Sequence, residues 1–197
     1  MGKVVVDLSM SLDGYIAGPN DGPGNPLGDG GGALFEWMRV NSEAYGTEDF
    51  INPPEASREV VDEWYESGAI ISGRRTFDIA NGWGGRHPMG VPFFVLTHDP
   101  PDSDPGEGTF VSDGIESALE QARAAAGEKS IGLCAADVAQ QFLRAGLLDE
   151  IRVSVAPVVL GGGVPLFDEL KRGTIHMQQI RVIASDGVTH LRYRVVR

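Results

Sequence analysis

The chain has 197 residues, 42% of them hydrophobic, with 28 acidic against 16 basic side chains and a formal net charge of -12. That length and hydrophobic content fit one sizeable core, hence a single mixed α/β domain over residues 1–197, rather than a disordered polypeptide. The acidity argues against nucleic acid or an anionic membrane surface as partner, since both would repel the protein as a whole.

The single cysteine, Cys134, excludes an internal disulfide and a thiolate zinc cluster and fits a reducing cytoplasm. At the N-terminus the apolar run Val4 to Val6 is broken by Asp7, too short for a secretion signal or a bilayer span.

Lys3 to Met10 reads as a buried β-branched strand that runs into the turn chemistry of Asp13-Gly14. Gly18 to Gly32, crowded with glycine and proline, cannot hold regular structure and reads as a binding loop or plain disorder. Leu34 to Val40 and Glu55 to Ser67 read as helices separated by an irregular stretch, with Pro54 opening the second and Gly68 ending it. In that second helix Val60, Val61, Trp64 and Tyr65 recur at helical spacing.

Strands are expected at Ala69 to Ser72, Val91 to Leu96 and Ile131 to Leu133, with an acidic connection at Asp99 to Gly108. Helices are expected at Ile115 to Ala126 and at Asp137 to Ala145, the latter closed by Gly146. Repeated strand, loop and helix argue for a parallel sheet. The last third changes to a strand at Glu150 to Val159 and a hairpin of Ile180 to Ala184 with Thr189 to Val196 about Ser185-Asp186-Gly187.

Four segments carry candidate chemistry. Gly73-Arg74-Arg75-Thr76 stands between a strand and a helix, where backbone N–H groups attract an anion and two guanidinium forks suit a phosphate monoester; a solvated surface pair is the plain alternative. Leu96-Thr97-His98 ends the next strand, at the edge where open α/β sheets bind ligands, although Thr97 also suits a simple turn. Cys134 to Val138 again joins strand to helix and offers backbone donors for a pyrophosphate, with Asp137 a natural helix N-cap. Gly161-Gly162-Gly163 permits close backbone approach to a ligand, or a β-bulge.

No Walker loop, strand-borne Gly-x-Gly-x-x-Gly or Gly-x-Ser-x-Gly elbow occurs, and the four histidines have no metal-ligand spacing. A P-loop, a Rossmann site, hydrolase chemistry and a metal centre are all disfavoured.

Read in order, Ser11-Leu12-Asp13-Gly14-Tyr15-Ile16-Ala17, Gly73-Arg74-Arg75-Thr76-Phe77, Phe94-Val95-Leu96-Thr97, Val138-Ala139-Gln140-Gln141-Phe142-Leu143, Gly146-Leu147-Leu148-Asp149-Glu150 and Pro157 to Gly163 form a specific set. The set resembles the dihydrofolate reductase-like superfamily, in particular small reductases similar to the C-terminal domain of bifunctional riboflavin-biosynthesis deaminase-reductases (the RibD C-terminal type). The resemblance implies a three-layer α/β fold with a mostly parallel central sheet and an antiparallel C-terminal hairpin. It also implies a homodimer, NADPH as cofactor, and hydride transfer to a small heterocyclic or sugar-carbonyl substrate, nominally of the aminouracil-phosphoribosyl type.

By that likeness Arg74, Arg75 and Thr76 hold the adenosine phosphates, Leu96, Thr97 and His98 the adenine-ribose side, and Ile16, Ala17 and Gly18 meet the nicotinamide. Gly73, Cys134, Ala135, Ala136, Asp137 and Val138 complete the cofactor loops. Asp13 and the strip Leu160, Gly161, Gly162 and Gly163 border the substrate, and Arg86 beside His87 is the second basic candidate for a substrate phosphate. For the proton donor the sequence offers Asp13 ahead of Glu36. At Cys134-Ala135 relatives usually carry Gly-Gly, so two side chains stand where bare backbone is expected to approach the pyrophosphate. Rival readings are a non-catalytic nucleotide- or metabolite-binding protein on the same fold and a folate or generic carbonyl reductase.

Overall fold

The computed structural model describes residues 2–41, 43, 50–102, 104–168, 170 and 173–196. The apolar start forms β1 (Val4–Ser11), and Asp13-Gly14 turns the chain into a short β2 (Tyr15–Ala17). Gly31–Met38 winds as a 3₁₀ helix, and a 3₁₀ turn at Glu55–Ser57 feeds α1 (Arg58–Tyr65). Then come β3 (Ser67–Gly73), α2 (Arg74–Ile79), a tight turn at Asn81–Gly85, β4 (Phe93–Leu96) and β5 (Gly108–Val111). They are followed by α3 (Ile115–Ala126), β6 (Ser130–Leu133), α4 (Ala136–Ala145), β7 (Glu150–Ala156), β8 (Val164–Pro165), β9 (Met177–Ser185) and β10 (Val188–Val195).

Eight strands form one sheet in the order β5-β4-β3-β6-β1-β7-β10-β9, and β2 pairs with β8 as a separate antiparallel ribbon. Neighbours from β5 to β7 are parallel, while β10 runs antiparallel to both β7 and β9. The parallel strands therefore end along one edge, at Ser11, Gly73, Leu96, Val111, Leu133 and Ala156, and the loops that follow them gather there.

Alternation along β1 separates two environments. Val4 and Val6 join Ile71, Ile131, Leu133 and Val153 under α3 and α4, whose Leu119, Val138, Phe142 and Leu143 complete the main core. On the opposite side Trp37, Met38, Val61 and Val188 form one cluster, and Ile70, Phe77, Phe93 and Val95 another. Beside the first of these Asp7, Glu63, Arg152, Arg181, His190 and Arg192 line a buried, water-sized cavity.

Several boundaries differ from the sequence reading. The second helix ends at Tyr65, and Gly68 lies inside β3 instead of stopping the helix. A Cβ on Gly68 would meet the Ala126 backbone and methyl at 2.8 Å, so glycine there serves strand–helix contact. The segment expected as a helix from Leu34 is a 3₁₀ helix beginning at Gly31. Strand β5 emerges from the stretch read as a connection and its continuation, and β7 stops at Ala156, short of Val159. Helix α4 has Ala135, in extended geometry, as its N-cap, and no side chain caps it. Asp137 is thus in its first turn and not the cap. The irregular stretch before Pro53 falls partly outside the described residues.

Candidate active site

The carboxyl edges of β3, β4, β5 and β6 border an open groove of about 510 Å³. Arg74, Arg75, Leu96, Thr97, His98 and Asp137 line it, together with Asp78, Asp99, Val111, Ser112, Gly114, Ile115 and Gln141. Three sequence segments separated by tens of residues, each chosen on local chemistry, thus meet on one surface. The lining from β5 and the start of α3 has no strong local signal in the sequence; Gly114, with φ 106°, marks the sharp turn between them.

The two arginines face different partners. Arg74 Nε donates to both carboxylate oxygens of Asp78, at 2.8 and 2.9 Å, and its Nη1 donates to the Asp99 carbonyl at 2.9 Å. Arg75 Nη2 donates to the Asp21 carbonyl at 3.0 Å and forms an ion pair with Asp21 Oδ1 at 2.8 Å. Helix α2 is only six residues long, so its dipole is weak and the attraction for an anion comes from the guanidinium groups. Thr97 Oγ1 donates to the Asp99 carbonyl at 3.1 Å and accepts from the Asp99 N–H at 3.3 Å, which closes the turn after β4, while His98 is exposed beside it.

The Ala135 side chain is buried and that of Cys134 is half-buried. The Ala135 methyl is packed in the main core, where Ala136 and Val138 also lie, so these three offer only backbone to a ligand. Cys134 packs against the Ile70, Phe77 and Phe93 cluster, its N–H donates to Ile71 O at 3.0 Å, and burial pushes its thiol up to about 11. The Asp137 carboxylate lies against Gly73, with Oδ1 3.0 Å from where a Cβ on that glycine would stand. A groove holding two guanidiniums thus also holds several carboxylates.

A second assembly is built around Asp13. Its carboxylate accepts N–H bonds from Leu160 at 3.1 Å and from Gly161 at 2.7 Å, and Leu12 N donates to Val158 O. The Ser11 hydroxyl and these N–H groups hold the Asp13 carboxyl below its usual range. Gly163 lies so close to Ala17 and Gly18 that a Cβ would come within 2.0 Å of the Ala17 carbonyl, and β2 pairs with β8 just beside it. Of the three glycines, Gly163 alone makes such a close approach, and it is between two loops of the chain itself. Ile16, Ala17, Gly18, Asp13 and Leu160 to Gly163 form one wall.

Two expected residues stand apart. Glu36 is an exposed side chain on the first 3₁₀ helix. Arg86 is exposed and pairs loosely with Glu107 at 3.7 Å, and it does not line the groove. Among the described residues no cluster of three metal-ligating side chains occurs, and no helix is long and apolar enough to cross a membrane.

The model of the RibD C-terminal domain family matches residues 2–191. Uncharacterized protein YyaP of Bacillus subtilis (strain 168) is 26% identical over 207 residues, spanning 97% of this chain and 94% of that one. Among solved structures, a Shewanella sp. PV-4 protein provisionally assigned to riboflavin biosynthesis superposes with a TM-score of 0.72 at 25% identity over the full length of both chains. Dihydrofolate reductase from Enterococcus faecalis, solved with NADP(H), has a TM-score of 0.59 at 12% identity, covering 100% of this chain and 98% of that one; this last likeness is one of fold.

Proposed function

The chain belongs to the RibD C-terminal domain family, with a dihydrofolate reductase-like fold, and from that premise we propose that it is an NADPH-dependent reductase acting on a small heterocyclic or sugar-carbonyl substrate. The observation that carries the proposal is the meeting of Arg74, Thr97, His98 and the start of α4 along one groove at the carboxyl edge of a parallel sheet. Its volume and mixed polar and apolar lining suit a nucleotide. Bound there, the cofactor supplies the hydride.

The chain's own residues do the rest. Arg74 would read a phosphate with the free edge of its planar fork while Nε stays bonded to Asp78. The uncapped first turn of α4 presents free N–H groups to the pyrophosphate. The wall of Ile16 to Gly18 against Leu160 to Gly163 would flank the nicotinamide and shield it from water. Asp13, held as a carboxylate at neutral pH, positions this wall, and the substrate's proton then comes from solvent or from the substrate itself. The assembly we propose is a homodimer through the outer face of β9 and β10, where Met177, Ile180 and Val182 are exposed on an edge hairpin.

The decisive experiment is titration of NADPH and NADH against intrinsic tryptophan fluorescence, with Arg74→Ala alongside the wild type. The expected result is NADPH binding in the wild type and a loss in Arg74→Ala of about tenfold or more for NADPH, greater than that for NADH. Absence of NADPH binding at millimolar concentration would overturn the reductase reading, and equal losses for the two nucleotides would refute phosphate discrimination by Arg74.

A further inference from the structure

The glycine-rich loop that follows β2 is internally braced. Gly18 N donates to Leu27 O, Asp29 N donates to Pro19 O, and Gly22 and Asn25 exchange backbone bonds. The amides of Asn20 and Asn25 each donate to one oxygen of the Asp29 carboxylate, at 2.7 and 3.0 Å. These bonds occupy Asp29 within the loop. The loop's other carboxylate, Asp21, reaches out of it to Arg75.

That ion pair is uneven. The Asp21 side chain is 15% exposed whereas that of Arg75 is 64% exposed, and Arg75 also lines the groove. Asp21 therefore has given up most of its water for one guanidinium, while the guanidinium keeps donors turned to solvent. Any phosphate that approaches Arg75 meets a carboxylate already seated on Nη2. Two anions on one fork repel, and the weaker acceptor is displaced unless the loop carrying it stays put.

Resting on the cofactor reading above, we propose that Asp21 is a specificity-determining residue: a built-in anion that occupies Arg75, so that docking of the 18–30 loop and binding of a cofactor phosphate compete. The two adjacent arginines divide the work. Arg74, bonded to its own helix and to the β4 turn, is the fixed phosphate reader, and Arg75 couples phosphate occupancy to the loop. Phosphate binding frees Asp21, and its carboxylate regains hydration as the loop moves away from Arg75. Gly28 and Gly30, with φ of 68° and 73°, provide backbone positions that tolerate such a change without a side-chain clash.

The test uses the full chain with adenosine 2′,5′-bisphosphate and NADPH as probes. In the wild type, hydrogen exchange of amides 18–30 is expected to quicken when adenosine 2′,5′-bisphosphate is added, a readout that needs no variant. Asp21→Asn, which keeps the shape but removes the charge, is expected to bind both probes about fivefold more tightly, the effect of relieving one like charge at a part-exposed site. In an Arg75→Ala background the same substitution should change nothing, because the two residues act as a pair. Slower exchange in the loop on ligand binding, or equal affinity of Asp21→Asn and wild type, overturns the competition while leaving the cofactor reading intact. If the wild type binds neither probe, the cofactor reading fails and the competition fails with it.

Discussion

Asp13 and Asp137 are both carboxylates at the carboxyl edge of the sheet, and their surroundings give them different tasks. Asp13 accepts two backbone N–H bonds and is held below its normal titration range, so at neutral pH it is an acceptor and has no proton to give. A positioning residue and a general acid make separate kinetic demands. Removing a general acid costs about 10²- to 10⁴-fold and erases a limb of the pH–rate profile. For Asp13→Asn we predict a loss in turnover of less than about tenfold, with the profile unmoved, because one oxygen still accepts from the Leu160–Gly161 strip. Steady-state rates across pH check this, and loss of the acid limb would restore Asp13 as the donor. Asp137 has no such capping duty: its carboxylate lies against Gly73 in the first turn of α4.

At the scale of elements, what could be read from the sequence depended on how local the cause was. Helix α3 and the αL stop of α4 at Gly146 follow from composition and one residue's backbone freedom, and both are where the residues place them. The β9–β10 hairpin turns at Asp186-Gly187, with Gly187 at φ 74°, for the same reason. Strand β5 was illegible because its four residues, Gly108–Val111, gain strand character only by pairing with β4. The β2–β8 ribbon likewise joins segments about 150 residues apart. The groove was legible as separate loops; that Arg75 would turn to Asp21 was not, since nothing local links positions 21 and 75. Gly68 is the instructive error. Its neighbours suggested a helix stop, whereas its position in β3 against Ala126 makes it a packing residue. Gly68→Ala should therefore lower stability by about 1–3 kcal/mol through overpacking, measured by urea denaturation, and an unchanged stability would mean that the contact with Ala126 yields without cost.

Across the whole molecule the two faces of the sheet are stabilised by different physics. Under α3 and α4 the contacts are hydrocarbon, but at β1, β7, β10 and β9 a buried ionic layer holds α1 down. Glu63 forms ion pairs with Arg152, Arg181 and Arg192, and Glu150, 1% exposed, accepts from Lys3, Arg152 and Arg192. Burial alone would raise the Glu150 carboxyl, but its three cationic partners draw it down to about 2. Asp7 in the same layer has the opposite fate. Among the described residues neither of its oxygens has a hydrogen-bond partner, and the Trp64 indole N–H beside it falls short of one.

Burial pushes Asp7 up from 3.8 to about 7, against the pull of the nearby Trp64 indole N–H and of Arg152, with Glu63 pushing up and Arg192 pulling down. The consequence for stability has a definite sign. The folded state holds this proton more tightly than the unfolded chain, so the Asp7 contribution is fully present below pH 3.8 and is lost as pH rises to about 7, after which it is flat. At about 1.4 kcal/mol per unit, the loss is on the order of a few kcal/mol. Asp7→Asn carries no titrating proton and occupies nearly the same volume. Relative to the wild type it should gain stability between pH 5 and pH 7, with a constant difference above that. Parallel urea denaturation curves at pH 5 and pH 8.5 measure the change. A difference between the two proteins that is the same at both pH values would mean that Asp7 is already ionised at pH 5, with Arg152 and Arg192 outweighing its burial.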